Sequence, residues 1–168
     1  KISPSRRLFI SYAVSPPIPP LMVTFGMNDS GYFEYNGDKP KEFGEQKYQE
    51  SIKNYQQMEK RFKDLPDTRI VMVGTSPYDE TVQLKENTPF KTKNETIKRL
   101  VEYQKESAAK NNWEFTDLNA PMTAINQQYQ QKDPTFTLCG SDRIHPDNDG
   151  HMVMTYLFLK AQGFVGKE

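Results

Sequence analysis

The chain alternates between short apolar runs and longer stretches with helical spacing. Leu21 to Phe25, "LMVTF", reads as a short buried strand. From Glu45 the period changes. Tyr48, Ile52, Tyr55, Phe62 and Leu65 fall at helical intervals, and Pro66 ends the run. Arg69 to Gly74, "RIVMVG", is the clearest strand. A second helix fits Asn94 to Lys110, with Ile97, Leu100, Val101 and Ala108 on its apolar side. Trp113 to Leu118 reads as a third strand, and Ala120 to Gln131 as a short helix with Pro121 in its first turn. Asp147 to Gln162 is predicted to be the last helix, with Val153, Tyr156, Leu157 and Phe158 turned inward and Gly163 at its C-cap. Gly31 to Gly44 and Pro134 to Pro146 read as loops. So does Thr75 to Thr92, which is longer than a compact domain usually tolerates without a purpose.

Strand, helix, strand, helix, strand, helix predicts an α/β fold with a parallel sheet covered by helices. In open sheets of this kind, ligands bind beyond the C-terminal ends of the strands. Asn28 follows the first predicted strand, Ser76 and Tyr78 the second and Asn119 the third, so these positions fall on the functional rim. Residues 1–21 read as an irregular leader and residues 22–168 as the domain. The leader runs from basic (Lys1, Arg6, Arg7) to apolar to small residues, loosely like a secretion signal. Its "PPIPP" suits neither a central strand nor a helix.

Composition narrows the function classes. The 168 residues carry 22 basic and 22 acidic side chains, a balance that argues against binding driven by nucleic-acid phosphates. No apolar run approaches the length of a membrane span. One cysteine, Cys139, excludes an internal disulfide and a cysteine-based zinc site, and it reads as a small, partly buried residue. Two histidines with scattered carboxylates do not supply a clear metal site, and no cofactor is expected.

Two segments hold the candidate chemistry. In "GMND", Gly26 to Asp29, the Asn28 amide can donate to a developing oxyanion, and Gly26 allows close approach of backbone and substrate. The plainer reading is a strand-to-loop turn that Asp29 braces. In "SDRIHPDNDGH", Ser141 to His151, Asp142 stands three residues before His145. An Asp that accepts from one imidazole nitrogen leaves the other free as a base. On spacing alone a capping loop is favoured, with Asp147 as N-cap and His145 on the surface. His151, inside the last helix, reads as a packed or capping histidine. Tyr32, Phe33 and Tyr35 could line an apolar or sugar-stacking pocket, or pack within the loop.

Taken together, "GMND" after a strand and "DRIHP" just before the last helix resemble the SGNH or GDSL hydrolase family, over roughly residues 22 to 163. The resemblance implies a three-layer α/β/α, flavodoxin-like fold. It implies Asn28 as an oxyanion-hole donor, Asp142 as the orienting acid and His145 as the base. It also implies hydrolysis of small-molecule or carbohydrate esters by an enzyme of the esterase, lipase or deacetylase class, with a lean towards a periplasmic or secreted parent. The family's Gly-Asp-Ser nucleophile block and its second, glycine-bearing block are not found. The 25 residues before Gly26 contain no glycine, and no serine is carried over as nucleophile. The expectation is an N-terminally incomplete domain that is inactive alone. Its first strand would be left as an exposed edge through which the chain self-associates. The rivals are a non-catalytic carbohydrate-binding module that keeps the pocket, and an enzyme whose nucleophile comes from another chain.

Overall fold

In a computed structural model, the structure describes residues 20–166. The predicted leader lies outside these residues except for Pro20 and Leu21, and Leu21 already begins the first strand. Three parallel strands form one sheet in the order β1 (Leu21–Phe25), β2 (Ile70–Gly74), β3 (Glu114–Asp117). Leu21 pairs with Ile70 at one end of the sheet, and Gly74 with Asp117 at the other. Four α-helices accompany the sheet: α1 (Pro40–Lys63), α2 (Lys93–Lys110), α3 (Asn119–Gln130) and α4 (Asn148–Ala161).

β2 organises the core. It is buried at every position, and successive side chains point to opposite faces. Ile70 and Met72 enter one cluster, with Val23, Tyr55 of α1 and Ala108 of α2. Val71 and Val73 enter the other, with Met122 of α3 and Leu138, against which Val153, Leu157 and Phe158 of α4 pack. Helices α1 and α2 therefore cover one face, and α3 and α4 the other. Among the described residues β1 has no partner on its outer side, and Met22 and Phe25 there are half-exposed.

Several expectations are corrected in detail. α1 begins at Pro40 rather than Glu45, because proline fits the first helical turn, where no N–H bond is lost. The segment before it is not wholly loop: Phe33–Asn36 forms a 3-10 turn. α1 ends at Lys63, and Leu65 lies beyond it, exposed. On α4, Tyr156 faces solvent rather than the core. The 75–92 connection has no helix or strand of its own, as expected.

Gly74 ends β2 where α2 and β3 come closest. A Cβ at this position would lie 2.8 Å from Cγ1 of Val101 and 3.3 Å from the Phe115 ring. Gly74→Ala is expected to cost about 1–3 kcal/mol by overpacking, read as a lowered urea midpoint with unchanged slope. An unchanged midpoint would mean that this contact yields freely.

Candidate active site

Gly26 ends β1 with φ +134°, a conformation closed to most side chains. Its amide donates to Asp29 Oδ2 at 2.9 Å, so Asp29 braces the turn. Asn28 is exposed on that turn, and its Oδ1 accepts from the Tyr32 hydroxyl. Phe33 is 80% exposed beside it. Tyr35 is not a pocket-lining residue: it is 2% exposed and its hydroxyl donates to the Ser30 carbonyl at 2.8 Å. The sequence pattern could not separate these neighbours, because a 3-10 turn sends them to different sides.

The turn rests on a side chain that the sequence analysis missed. Lys93, in the first turn of α2, is fully buried. Its Nζ donates to the Met27 carbonyl at 2.9 Å, to Ser30 Oγ at 2.6 Å and to the Gly31 carbonyl. Three oxygens thus meet the three donors of an ammonium, which also lies 4.0 Å from the Tyr32 ring centroid. No sequence signal marks this lysine, since helix-start lysines ordinarily face water.

On the other loop, His145 Nδ1 and Asp142 Oδ2 are 2.6 Å apart. The second carboxylate oxygen, Oδ1, accepts from the backbone amides of Ile144 and His145, each at 2.9 Å. Burial raises the Asp142 pKa, but the bonds from the His145 ring and from these two amides outweigh it and hold the carboxyl below its ordinary range. With Nδ1 engaged, Nε2 of a ring whose side chain is 81% exposed is left facing outward. Asp147 caps α4 by accepting from Gly150 N at 3.2 Å, so the capping loop and the Asp–His pair coexist. Gly140 closes the loop: it has φ +66°, and a Cβ there would lie 2.4 Å from the His145 carbonyl oxygen.

Arg143, between the pair, was also missed. It holds φ 68°, is 2% exposed, and its guanidinium donates to the carbonyls of Asp79, Val82 and Asn87 at 3.0, 2.7 and 2.7 Å. This clamp gives the long 75–92 connection its shape. Phe90 from that connection stacks on Tyr78 and meets the edges of Tyr32 and Phe33. Met27 and Ile144 pack on the same apolar cluster. The hydroxyl of Tyr32 is pushed above its ordinary value by burial first, then by the charges of Asp142 and Asp29. The Asn28 turn and the Asp142–His145 loop therefore share one rim, at the C-terminal ends of the strands.

The serines near the strand ends are buried rather than open to this rim. Ser30 is fully buried and engaged by Lys93, and Ser76 is 7% exposed. Cys139 is buried, and burial, then the Asp79 charge, pushes its thiol up to about 12, which leaves it protonated. His151 is exposed on α4, not packed. Among the described residues, no cluster of three His, Cys, Asp or Glu could hold a metal ion, and no helix is long and apolar enough to cross a membrane.

Burial, opposed by the charges of Asp29 and Glu80, pushes Lys93 from an ordinary 10.5 down to about 7. The folded chain then holds fewer protons than the unfolded chain between those values. The contribution of this group to stability grows as pH rises above 7 and is lost as pH falls through 7. In urea unfolding, wild type is expected to gain on Lys93→Met between about pH 7 and about pH 9. A gap that does not change with pH would show that burial does not shift this lysine.

With this geometry in hand, comparison with known proteins is informative. The model of the GDSL-like Lipase/Acylhydrolase family matches residues 6–153. The solved structure of BT4096, a gut microbial diltiazem-metabolizing enzyme, is 83% identical with a TM-score of 0.84, over 87% of this chain and 33% of that one. A catalytic mutant of Axe2, an acetylxylan esterase from Geobacillus stearothermophilus, gives a TM-score of 0.53 at 18% identity, over 86% of this chain and 59% of that one. This second likeness speaks for the fold alone. The chain thus spans a third of the first structure's chain and less than two thirds of the second's. A search of curated proteins finds no match. A family match over most of the sequence, on a fold shared with these solved structures, makes the chain a member of the GDSL-like lipase/acylhydrolase family.

Proposed function

We propose that this chain supplies the general base, its orienting carboxylate and one oxyanion donor of a serine ester hydrolase acting on acetyl esters. The observation that carries the reading is the 2.6 Å Asp142–His145 contact, which leaves Nε2 outward on the rim that also bears Asn28. Similarity to a diltiazem-metabolizing enzyme supports the substrate class, because diltiazem bears an acetate ester. The nucleophile is proposed to come from outside the described residues. Among them no hydroxyl is hydrogen-bonded to the His145 ring, and Ser30 is committed to Lys93.

In the proposed reaction, His145 Nε2 takes the serine proton as the serine oxygen bonds to the ester carbonyl carbon. Asp142 stabilises the imidazolium, and Asn28 Nδ2–H donates to the oxyanion. His145 then gives the proton to the departing alcohol, and water, activated by the same base, releases the acid from the serine.

The test is turnover of 4-nitrophenyl acetate. The 168-residue chain alone is expected to show none above trace. Joined to an upstream Gly-Asp-Ser segment it is expected to turn over. His145→Ala would then cost about 10⁴-fold or more, and Asn28→Ala about 10²- to 10³-fold. Robust turnover by the unmodified chain, abolished by His145→Ala, would place the nucleophile within it. Turnover of the extended version that survives His145→Ala would sink the assignment.

The outer edge of β1 supports a second proposal, self-association. Among the described residues the edge presents unpaired backbone groups beside the half-exposed Met22 and Phe25, the arrangement that templates strand addition. Sedimentation is expected to show mass rising with concentration, and Phe25→Lys to suppress the rise. A concentration-independent monomer with a cooperative melt at high temperature would refute it.

A further inference from the structure

The amide of an asparagine has a donor end and an acceptor end, and only the donor end stabilises an oxyanion. Turned over, the same side chain would present a partial negative charge to the oxygen it should bind. An exposed Asn on a turn has no intrinsic preference between the two, so something must choose. Here the Asn28 Oδ1 is occupied: it accepts from the hydroxyl of Tyr32, four residues on. Among the described residues Nδ2 makes no hydrogen bond and is the end left free.

Tyr32 is itself held. Its ring lies under the Lys93 Nζ at 4.0 Å and meets Phe90 edge-on with centroids 6.3 Å apart. Lys93 also donates to the carbonyls of Met27 and Gly31, which bracket residues 28–30, and to Ser30 Oγ. Within the turn, Ser30 N bonds the Gly26 carbonyl and Gly31 N the Asn28 carbonyl. A fully buried lysine is costly unless its donors are met. This one spends them all on the turn that carries Asn28, across 66 positions of sequence.

We propose that Tyr32 and Lys93 are positioning residues for Asn28: Tyr32 fixes the rotation of the amide so that Nδ2 faces the substrate oxygen, and Lys93 fixes the backbone and ring on which that rotation depends. The proposal rests on the reading of Asn28 as the oxyanion donor. In this role both residues act through Asn28. Both act by preorganisation, through which a misplacement of about 1 Å can cost up to about 10²-fold in rate.

The first test needs no turnover. The side-chain amide protons of Asn28, assigned by their loss in Asn28→Ala, are followed by ¹⁵N-edited NMR. Tyr32→Phe is expected to leave backbone resonances beyond residues 26–36 and 90–93 in place, while moving the Asn28 pair towards free-amide positions. An unmoved Asn28 pair overturns the proposal. Lys93→Met is expected to move the pair as well. If that variant does not fold, Ser30→Ala takes its place, since it removes one Lys93 acceptor without leaving a buried carbonyl unpaired. A silent Ser30→Ala would then overturn the Lys93 part.

The second test is kinetic, in the esterase with its serine in place. Tyr32→Phe is expected to lower kcat about tenfold with KM unchanged, and to have no further effect in an Asn28→Ala background. Equal losses in the two backgrounds overturn the proposal, because the tyrosine would then act independently of Asn28. Full activity in Asn28→Ala overturns the oxyanion reading and the proposal with it. A loss in Asn28→Ala with none in Tyr32→Phe overturns the positioning role alone.

Discussion

Buried backbone carbonyls without a strand or helix partner must be met by something, and in this fold two buried basic side chains meet them. The sheet is short, and the segments that follow β1 and β2 run as turns and coil before the next helix. An unmet buried carbonyl there costs the full desolvation of that group. Lys93 answers two carbonyls and a hydroxyl of the 27–31 turn, and Arg143 answers three carbonyls of the 79–87 segment. The functional rim follows from these two side chains. They add long-range bonds to a turn and a connection that local bonds alone hold only in part.

Asp142 shows how one carboxylate can make two readings true together. Its Oδ1 collects the amides of residues 144 and 145, as an acid does in a tight turn, and its Oδ2 holds the imidazole. The three-residue spacing suits both tasks, because the turn it closes is the turn that brings the ring back over the carboxylate. A spacing argument that sets capping against chemistry therefore poses a choice the molecule does not make.

The regular elements were legible because burial imposes periods. β2 is buried on both faces and reads as an unbroken apolar run. α2 carries Ile97, Leu100, Val101 and Ala108 inward as its spacing predicts. The pairing of Asp142 with His145 and the bracing role of Asp29 were legible because both are local. Of the two readings open for Tyr35, pocket lining and loop packing, only the fold decides for packing, because an irregular turn has no period to read. Lys93 and Arg143 were invisible for a different reason. A basic residue in a polar stretch is ordinarily solvated, and only the folded chain brings it against carbonyls some sixty positions away. His151 erred in the other direction, since helical position alone does not say whether a side chain is covered.

The two halves of the site are therefore mounted differently. Asp142 and His145 are set by bonds within three positions of sequence, so their geometry needs little from the rest of the fold. Asn28 is bonded by Tyr32, whose ring lies under Lys93, a side chain that α2 brings to the turn from 66 positions away. The proposed base is set by a local turn, whereas the proposed oxyanion donor is held by contacts distant in sequence. Preorganised donors aimed at developing charge commonly lower the barrier to acyl transfer more than any other single effect. If Asn28 serves as proposed, the contribution that leans most on tertiary contacts is the one held by the turn that Lys93 bonds. A lysine that costs the fold to bury is held where its donors bond the part of the site that local sequence does not reach.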